Sequence, residues 1–170
     1  MNLLSRLFRS APDPREALRP LWHRTVEISR EPQWYLDCGV ADTVPGRFDM
    51  VTAVLALVLL RIEREGGHGA EGALLAELFV EDMDGQLREF GVGDIVVGKH
   101  IGKLMASLGG RLSAYRAALA GEGSFEDALR RNVTFDEGRG PEALAGRIRA
   151  LSDELANAAT ADILAGRIER

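Results

Sequence analysis

Residues 50–60, MVTAVLALVLL, contain a single polar side chain, Thr52. A helix of that length rises about 16 Å, roughly half the hydrocarbon thickness of a bilayer, so it is too short to be read as a membrane span. A helix that is apolar on every side must instead be surrounded by other elements of its own fold. The stretch therefore predicts a buried central helix near residues 47–64, inside a helical segment of about 45–65, and the rest of the chain must supply its cover.

Apolar spacing and turn residues divide that remainder into helices, with no alternating run long enough for a strand. The first is expected over about 14–30, with Leu18, Leu21, Trp22, Thr25 and Val26 on one face and an irregularity or fresh start at Pro20. Pro32, Gly39, Pro45 and Gly46 then punctuate a short turn of helix and a loop. Leu74, Leu75, Leu78, Phe79, Met83, Leu87 and Phe90 recur every three or four positions, predicting a helix over about 70–90 that Gly91 stops. Gly93 leaves the next turn unhindered, and Asp94 is placed to cap a following helix in which Gly109 and Gly110 permit a bend or close packing. Ser124 opens a further helix, with Asp127 as its capping-box partner. The piece from Pro141 onward is rich in Ala and charge, and is expected to be a peripheral hairpin or docking element. The prediction is an all-α, single-domain bundle of about six to eight helices. Its parts are an amphipathic segment 1–12, a main helical domain 13–135 and peripheral helices over 136–170.

Charge and cysteine content narrow the function. The formal charge of −5 opposes general or specific nucleic-acid binding, which depends on clustered Lys and Arg. Cys38 is the one cysteine; it forms no intramolecular disulfide, fits a reducing cytoplasm, and is read as a small buried residue rather than a nucleophile. Residues 1–30 carry six Arg against three acids. Within them, Leu4, Leu7 and Phe8 lie at helical spacing with Arg6 and Arg9 between, a pattern suited to contact with an anionic membrane surface or to docking on the chain's own domain.

The stretch VEDMDGQLREFGVGD, residues 80–94, places Glu81, Asp82 and Asp84 close together. On a helix, residues one and two apart point in different directions, so these carboxylates do not converge on a metal, whereas Asp84 reaches Arg88. A calcium loop starting at Asp82 needs Gly where Leu87 stands. His23, His68 and His100 are dispersed, and no nucleophile sits in a recognisable catalytic pattern. The residues point away from an enzyme; no cofactor and no metal are expected. From Glu71 to Asp94 seven acids face one Arg, a polarity that can orient the chain at a basic partner.

Read together, PQWYLDCGVADTVPGRFDM, LFVEDMDGQLREFGVGD and VGKHIGKLMASLGGRLSAY resemble the ubiquinol-cytochrome c chaperone family, in that family's order and over about residues 18–120. The aromatic pair of its P-x-[FW]-Y motif falls on Trp34 and Tyr35, its G-[VI]-x-D-T-x-x-G-R-F-[DE] motif on residues 39–49, and its acidic motif on residues 82–94. Lys99 matches the lysine of the next helix. The sequence departs with His100, where many relatives have a second basic residue, and with Gly109, where an aromatic often precedes Gly110 and Arg111.

The resemblance implies a helical, non-enzymatic assembly factor for the respiratory cytochrome bc complex. Mitochondrial members bind newly made cytochrome b near the ribosome, with a small partner protein. It also implies client or partner contacts at Trp34, Tyr35, Arg47, Asp82, Asp84, Arg88, Asp94, Lys99 and Arg111. A chaperone for a membrane protein needs an exposed apolar groove. That groove is expected beside Trp34, Tyr35 and the 95–115 helix, the alternative being that both rings are enclosed in the core. The expected location is cytoplasmic, either free or peripheral at the inner face of the membrane. Two other functions stay open: a peripheral membrane-associated interaction module, and a helical Asp-rich metal-dependent enzyme.

Overall fold

The computed structural model of the chain describes residues 13–89 and 94–170, apart from the side chains of Leu87 and residues 94–97. A 3-10 helix, Pro14–Leu18, leads into α1 (Arg19–Ser29) and α2 (Pro32–Leu36). The long helices α3 (Val44–Glu65), α4 (Gly69–Glu89) and α5 (Asp94–Leu119) follow. After them come α6 (Phe125–Asn132), α7 (Glu142–Asn157) and α8 (Thr160–Leu164). The fold is all-α and single-domain, and no helix among the described residues is long and apolar enough to cross a membrane.

The apolar run is the axis of the bundle. Residues 50–58 of α3 are all buried, because α1, α4, α5 and α7 pack around them. Each fully buried Leu or Val there contributes about 1.5–3 kcal/mol. Thr52 costs little in this setting because its hydroxyl donates to the carbonyls of Phe48 (3.1 Å) and Asp49 (3.0 Å).

The start of α3 accounts for the motif over residues 39–49. Gly39 has φ +72°, a conformation that disfavours any side chain, and an added Cβ would also press on Arg139. Val40 and Phe135 form an isolated antiparallel bridge, with Ala41 N donating to Thr134 O at 2.9 Å and Asp136 N to Gly39 O at 3.0 Å. Thr43 caps α3 by accepting from Gly46 N at 3.3 Å. A Cβ on Gly46 would lie 2.0 Å from the Ala41 carbonyl oxygen, so only glycine lets the helix start so close to the preceding loop. Pro20 and Pro45 sit in first helical turns, where the missing N–H costs nothing. The fresh start expected at Pro20 is the junction between the 3-10 helix and α1.

Ser124 caps α6, accepting from Asp127 N at 3.3 Å; its hydroxyl donates to Glu126 (2.7 Å), so Glu126 rather than Asp127 supplies the neighbouring carboxylate. Phe90, Gly91 and Gly93, with the helix stop expected there, and the cap expected of the Asp94 side chain lie outside the described residues.

The C-terminal segment differs from the peripheral element expected of it. Leu144, Ala145, Ile148, Leu151, Leu155 and Ile163 are at most 1% exposed, and α7 packs on α3 and α6. Alanine at such positions marks close approach of helices rather than a weak face. Arg61 of α3 fastens the end of α7, donating to Leu155 O (2.9 Å), Ala158 O (3.0 Å) and Thr160 Oγ1 (3.1 Å), which also opposes a cation to the negative end of that helix. Gly166, φ +73°, leaves no room for a Cβ against the Pro20 backbone.

Candidate functional site

The structure separates the residues singled out by sequence into buried and exposed groups. Trp34 is fully enclosed: its indole N–H donates to Ile28 O at 2.6 Å. The guanidinium carbons of Arg170 and Arg147 lie 5.2 and 5.5 Å from its ring centroid. The ring therefore meets the C-terminal segment, not a groove beside α5, and Trp34 is unavailable to a partner. Tyr35 is half-buried and donates its hydroxyl to Ser29 O at 2.9 Å; burial pushes its pKa up. It shares a shallow cleft of about 280 Å³ with Arg30, Leu36, Asp42 and Arg47. Arg47 pairs with Asp42 at 2.6 Å. Leu36 and Val44, at 75% and 74% exposure, add an apolar element to this edge. Cys38 is buried, which raises its thiol pKa and suits a packing role.

Arg111 is 2% exposed and so is not a surface contact. Its guanidinium reaches Asp49 Oδ1 at 2.5 Å, and also the Ser107 hydroxyl and the Asn132 carbonyl. Asp49 Oδ2 accepts in turn from Thr134 N (2.9 Å) and Thr134 Oγ1 (2.8 Å). The network ties α3, α5 and the strand-like segment after α6 into one unit. Beside it lies Tyr115, fully buried, whose hydroxyl finds no partner among the described residues; burial pushes its pKa up to about 12.

Asp82, Asp84 and Arg88 occupy the last turns of α4, and Lys99 stands exposed near the start of α5. Asp84 accepts from Arg88 Nε at 2.7 Å. Asp82 turns toward α1, into a largely polar cleft that also holds Arg19, His23 and Arg30, while Asp84 faces the opposite side with Arg15 and Met105. Among the described residues no three metal-ligating side chains converge. Asp94 opens α5, its side chain outside the described set. The membrane-contact residues Leu4, Arg6, Leu7, Phe8 and Arg9 lie outside it too.

An apolar opening in the bundle lies between α4 and α5. Leu59 and Ile62 of α3 form its floor, Ala76 of α4 and Met105, Leu108 and Leu112 of α5 its walls, and the turn around His68 its mouth. Its volume is about 490 Å³. Small residues keep it open: Gly72 and Ala76 lie on one wall and Gly109 on the other, and a Cβ on Gly109 would touch nothing within 4 Å. Met105, 39% exposed, is the flexible, polarisable side chain that adapts to varied apolar partners. Apart from Glu63 and His68, its lining is Gly, Ala, Leu, Ile and Met. Its means are shape and apolar surface, which suit capture of a helix or side-chain cluster. Sequence reasoning passed over Gly72, Ala76 and Met105, although small residues spaced on facing helices are the available signal.

A family model described as ubiquinol-cytochrome C chaperone matches residues 36–170. It starts just after Trp34 and Tyr35 and takes in the C-terminal helices. Comparison with curated proteins gives no match. Among solved structures, the chain is similar to the crystal structure of the Cbp3 homolog from Brucella abortus, at 30% sequence identity and a TM-score of 0.77, over 98% of this chain and 95% of that one.

Proposed function

The chain belongs to the ubiquinol-cytochrome c chaperone family, and from that premise we propose that it is a non-enzymatic assembly chaperone of the respiratory cytochrome bc complex that holds an apolar helical stretch of cytochrome b. The α4–α5 cleft carries this assignment, as an apolar opening walled by small residues and an exposed methionine. Membrane-protein segments are apolar around their circumference, and a cleft that buries part of that surface lowers the drive to aggregate. We assign the Tyr35–Arg47 edge, with Leu36 and Val44 exposed beside it, to a partner protein, since its mix of arginine, aromatic and apolar groups is the composition of interface centres.

Gly109→Leu tests the cleft without weakening the fold. The new side chain enters open space and replaces glycine within a helix, a change worth up to about 1 kcal/mol in favour of folding. Retention of synthetic cytochrome b transmembrane helices should fall about tenfold, equivalent to about 1.4 kcal/mol, with thermal stability unchanged or raised. Unchanged retention by a folded Gly109→Leu protein would remove the cleft from the client-binding surface.

A further inference from the structure

A second cleft, about 580 Å³, adjoins the α4–α5 cleft, because Ala76 and Met105 line both. Ala73 and Val80 extend its apolar wall along α4, and Arg15, Glu77, Glu81 and Asp84 bring charge to it. Most of that charge is already matched. Arg15 is held by Asp13 at 2.6 Å and lies 3.5 Å from Glu81, which Arg19 also approaches to 3.5 Å, and Asp84 accepts from Arg88 at 2.7 Å. Glu77 differs: it is exposed, and it forms no hydrogen bond or ion pair among the described residues. An apolar groove thus runs from the turn around His68, past Met105, to one unpaired carboxylate. From Gly69, at the mouth, to Glu77 is a rise of about 12 Å along the helix.

We infer that this groove selects the basic end of its client: an apolar helix lies over the first cleft with its last apolar turn on Ala73 and Val80, and the Lys or Arg that follows pairs with Glu77. The inference rests on the chaperone reading and adds to it an orientation and a charge requirement. Transmembrane helices end in flanking residues of this kind, with Lys and Arg in excess on the cytoplasmic side. Such a residue has a long apolar stem, which covers Val80 while its charged head stays in water beside Glu77. The net charge of the second cleft favours the same partner, since three carboxylates and one guanidinium line it. Met105 stands where the helix must pass; unbranched and 39% exposed, it is able to turn aside without disturbing the core.

Three synthetic helices separate this inference from the reading beneath it. They share a Leu–Ala core of about twelve residues, about 18 Å long, and differ only in the pair of residues flanking it at each end: Lys, Gln or Glu. Binding to the full chain, read by fluorescence anisotropy at low salt, should be about two- to fivefold tighter for the Lys helix than for the Gln helix, the range of an exposed ion pair, and weakest for the Glu helix. Glu77→Gln should abolish the preference and Glu77→Lys reverse it, both without loss of thermal stability because the side chain is exposed. Ala73→Trp, which places an indole in the second cleft, should also abolish it, whereas Gly109→Leu should weaken all three helices alike. Equal binding of the three helices to the parent, or a Lys preference that survives Glu77→Gln, would overturn the inference while leaving the chaperone reading in place. Retention of none of them by the folded parent would overturn that reading, and the inference with it.

Discussion

Two acid–arginine pairs at family-matched positions have opposite characters. Asp84 and Arg88 are one turn apart on α4 and largely in water, with side-chain exposures of 33% and 52%. Asp49 and Arg111 are 62 residues apart, with exposures of 14% and 3%. Solvent screens the first pair, and exposed helical pairs are worth only a few tenths of a kcal/mol. The second has exchanged water for Ser107, Asn132 and Thr134. Similar chemistry thus serves a wet surface in one place and a joint between three elements in the other, and motif membership by itself does not say which.

Breaking the buried joint should give the largest effect. Arg111→Met leaves Asp49 half-paired inside the fold, and removing one partner of a buried pair costs about 3–5 kcal/mol, which chemical denaturation would read directly. Asp49→Asn/Arg111→Met removes both charges and should recover a substantial part of that loss. If the single variant is as stable as the parent, the network is dispensable and the contrast between the two pairs fails.

The legibility of these regions from sequence follows the range of the interactions. The central helix and the start of α3 are local: an apolar run and the Thr43, Pro45 and Gly46 sequence act within one or two turns, so periodicity and capping rules find them. Arg111 was expected at a contact surface because nothing within four residues indicates Asp49 as its partner. The enclosure of Trp34 is invisible locally because its cover comes from Arg147, Arg170 and an Ala-rich helix more than a hundred residues away. The helices after Pro141 read as peripheral for the same reason: their alanines carry little apolar signal individually, although α7 buries a face against α3 and α6. The α4–α5 cleft arises from Gly72, Ala76 and Gly109, and an opening made by missing side chains leaves almost no hydrophobic pattern to read.

A third pair, about as exposed as Asp84–Arg88 but bidentate, lies between α6 and α7, where Arg149 donates to both Glu126 oxygens, at 2.9 and 3.2 Å. This pair, with Ser124 adding a further hydrogen bond, lowers the Glu126 pKa from its ordinary 4.5 to about 2. A carboxyl whose pKa is depressed by folding adds stability that is fully present above the unfolded value and is lost as the pH falls toward the folded one. The stability difference between the parent and Glu126→Gln should therefore be constant from pH 7 to about 5.5, shrink as the pH falls through about 4.5 and be fully lost only below about pH 2. A difference unchanged down to pH 2 would show that Glu126 acts through packing or its neutral hydrogen bonds rather than its charge.

The smallest effect belongs to Asp84. As half of an exposed i, i+4 pair it should contribute about 0.3–0.5 kcal/mol, and Asp84→Ala should lose no more than that in low salt, with the loss fading in 1 M salt as the charges are screened. The measurement also bears on the outward face of α4, because coupling grows as water is excluded from around a charge. If Asp84→Ala costs well over 1 kcal/mol, and 1 M salt leaves that cost unchanged, Asp84 is shielded from solvent in the folded chain. A small, salt-sensitive cost leaves it on a solvated rim, and the contrast with the sealed Asp49–Arg111 joint is then at its sharpest.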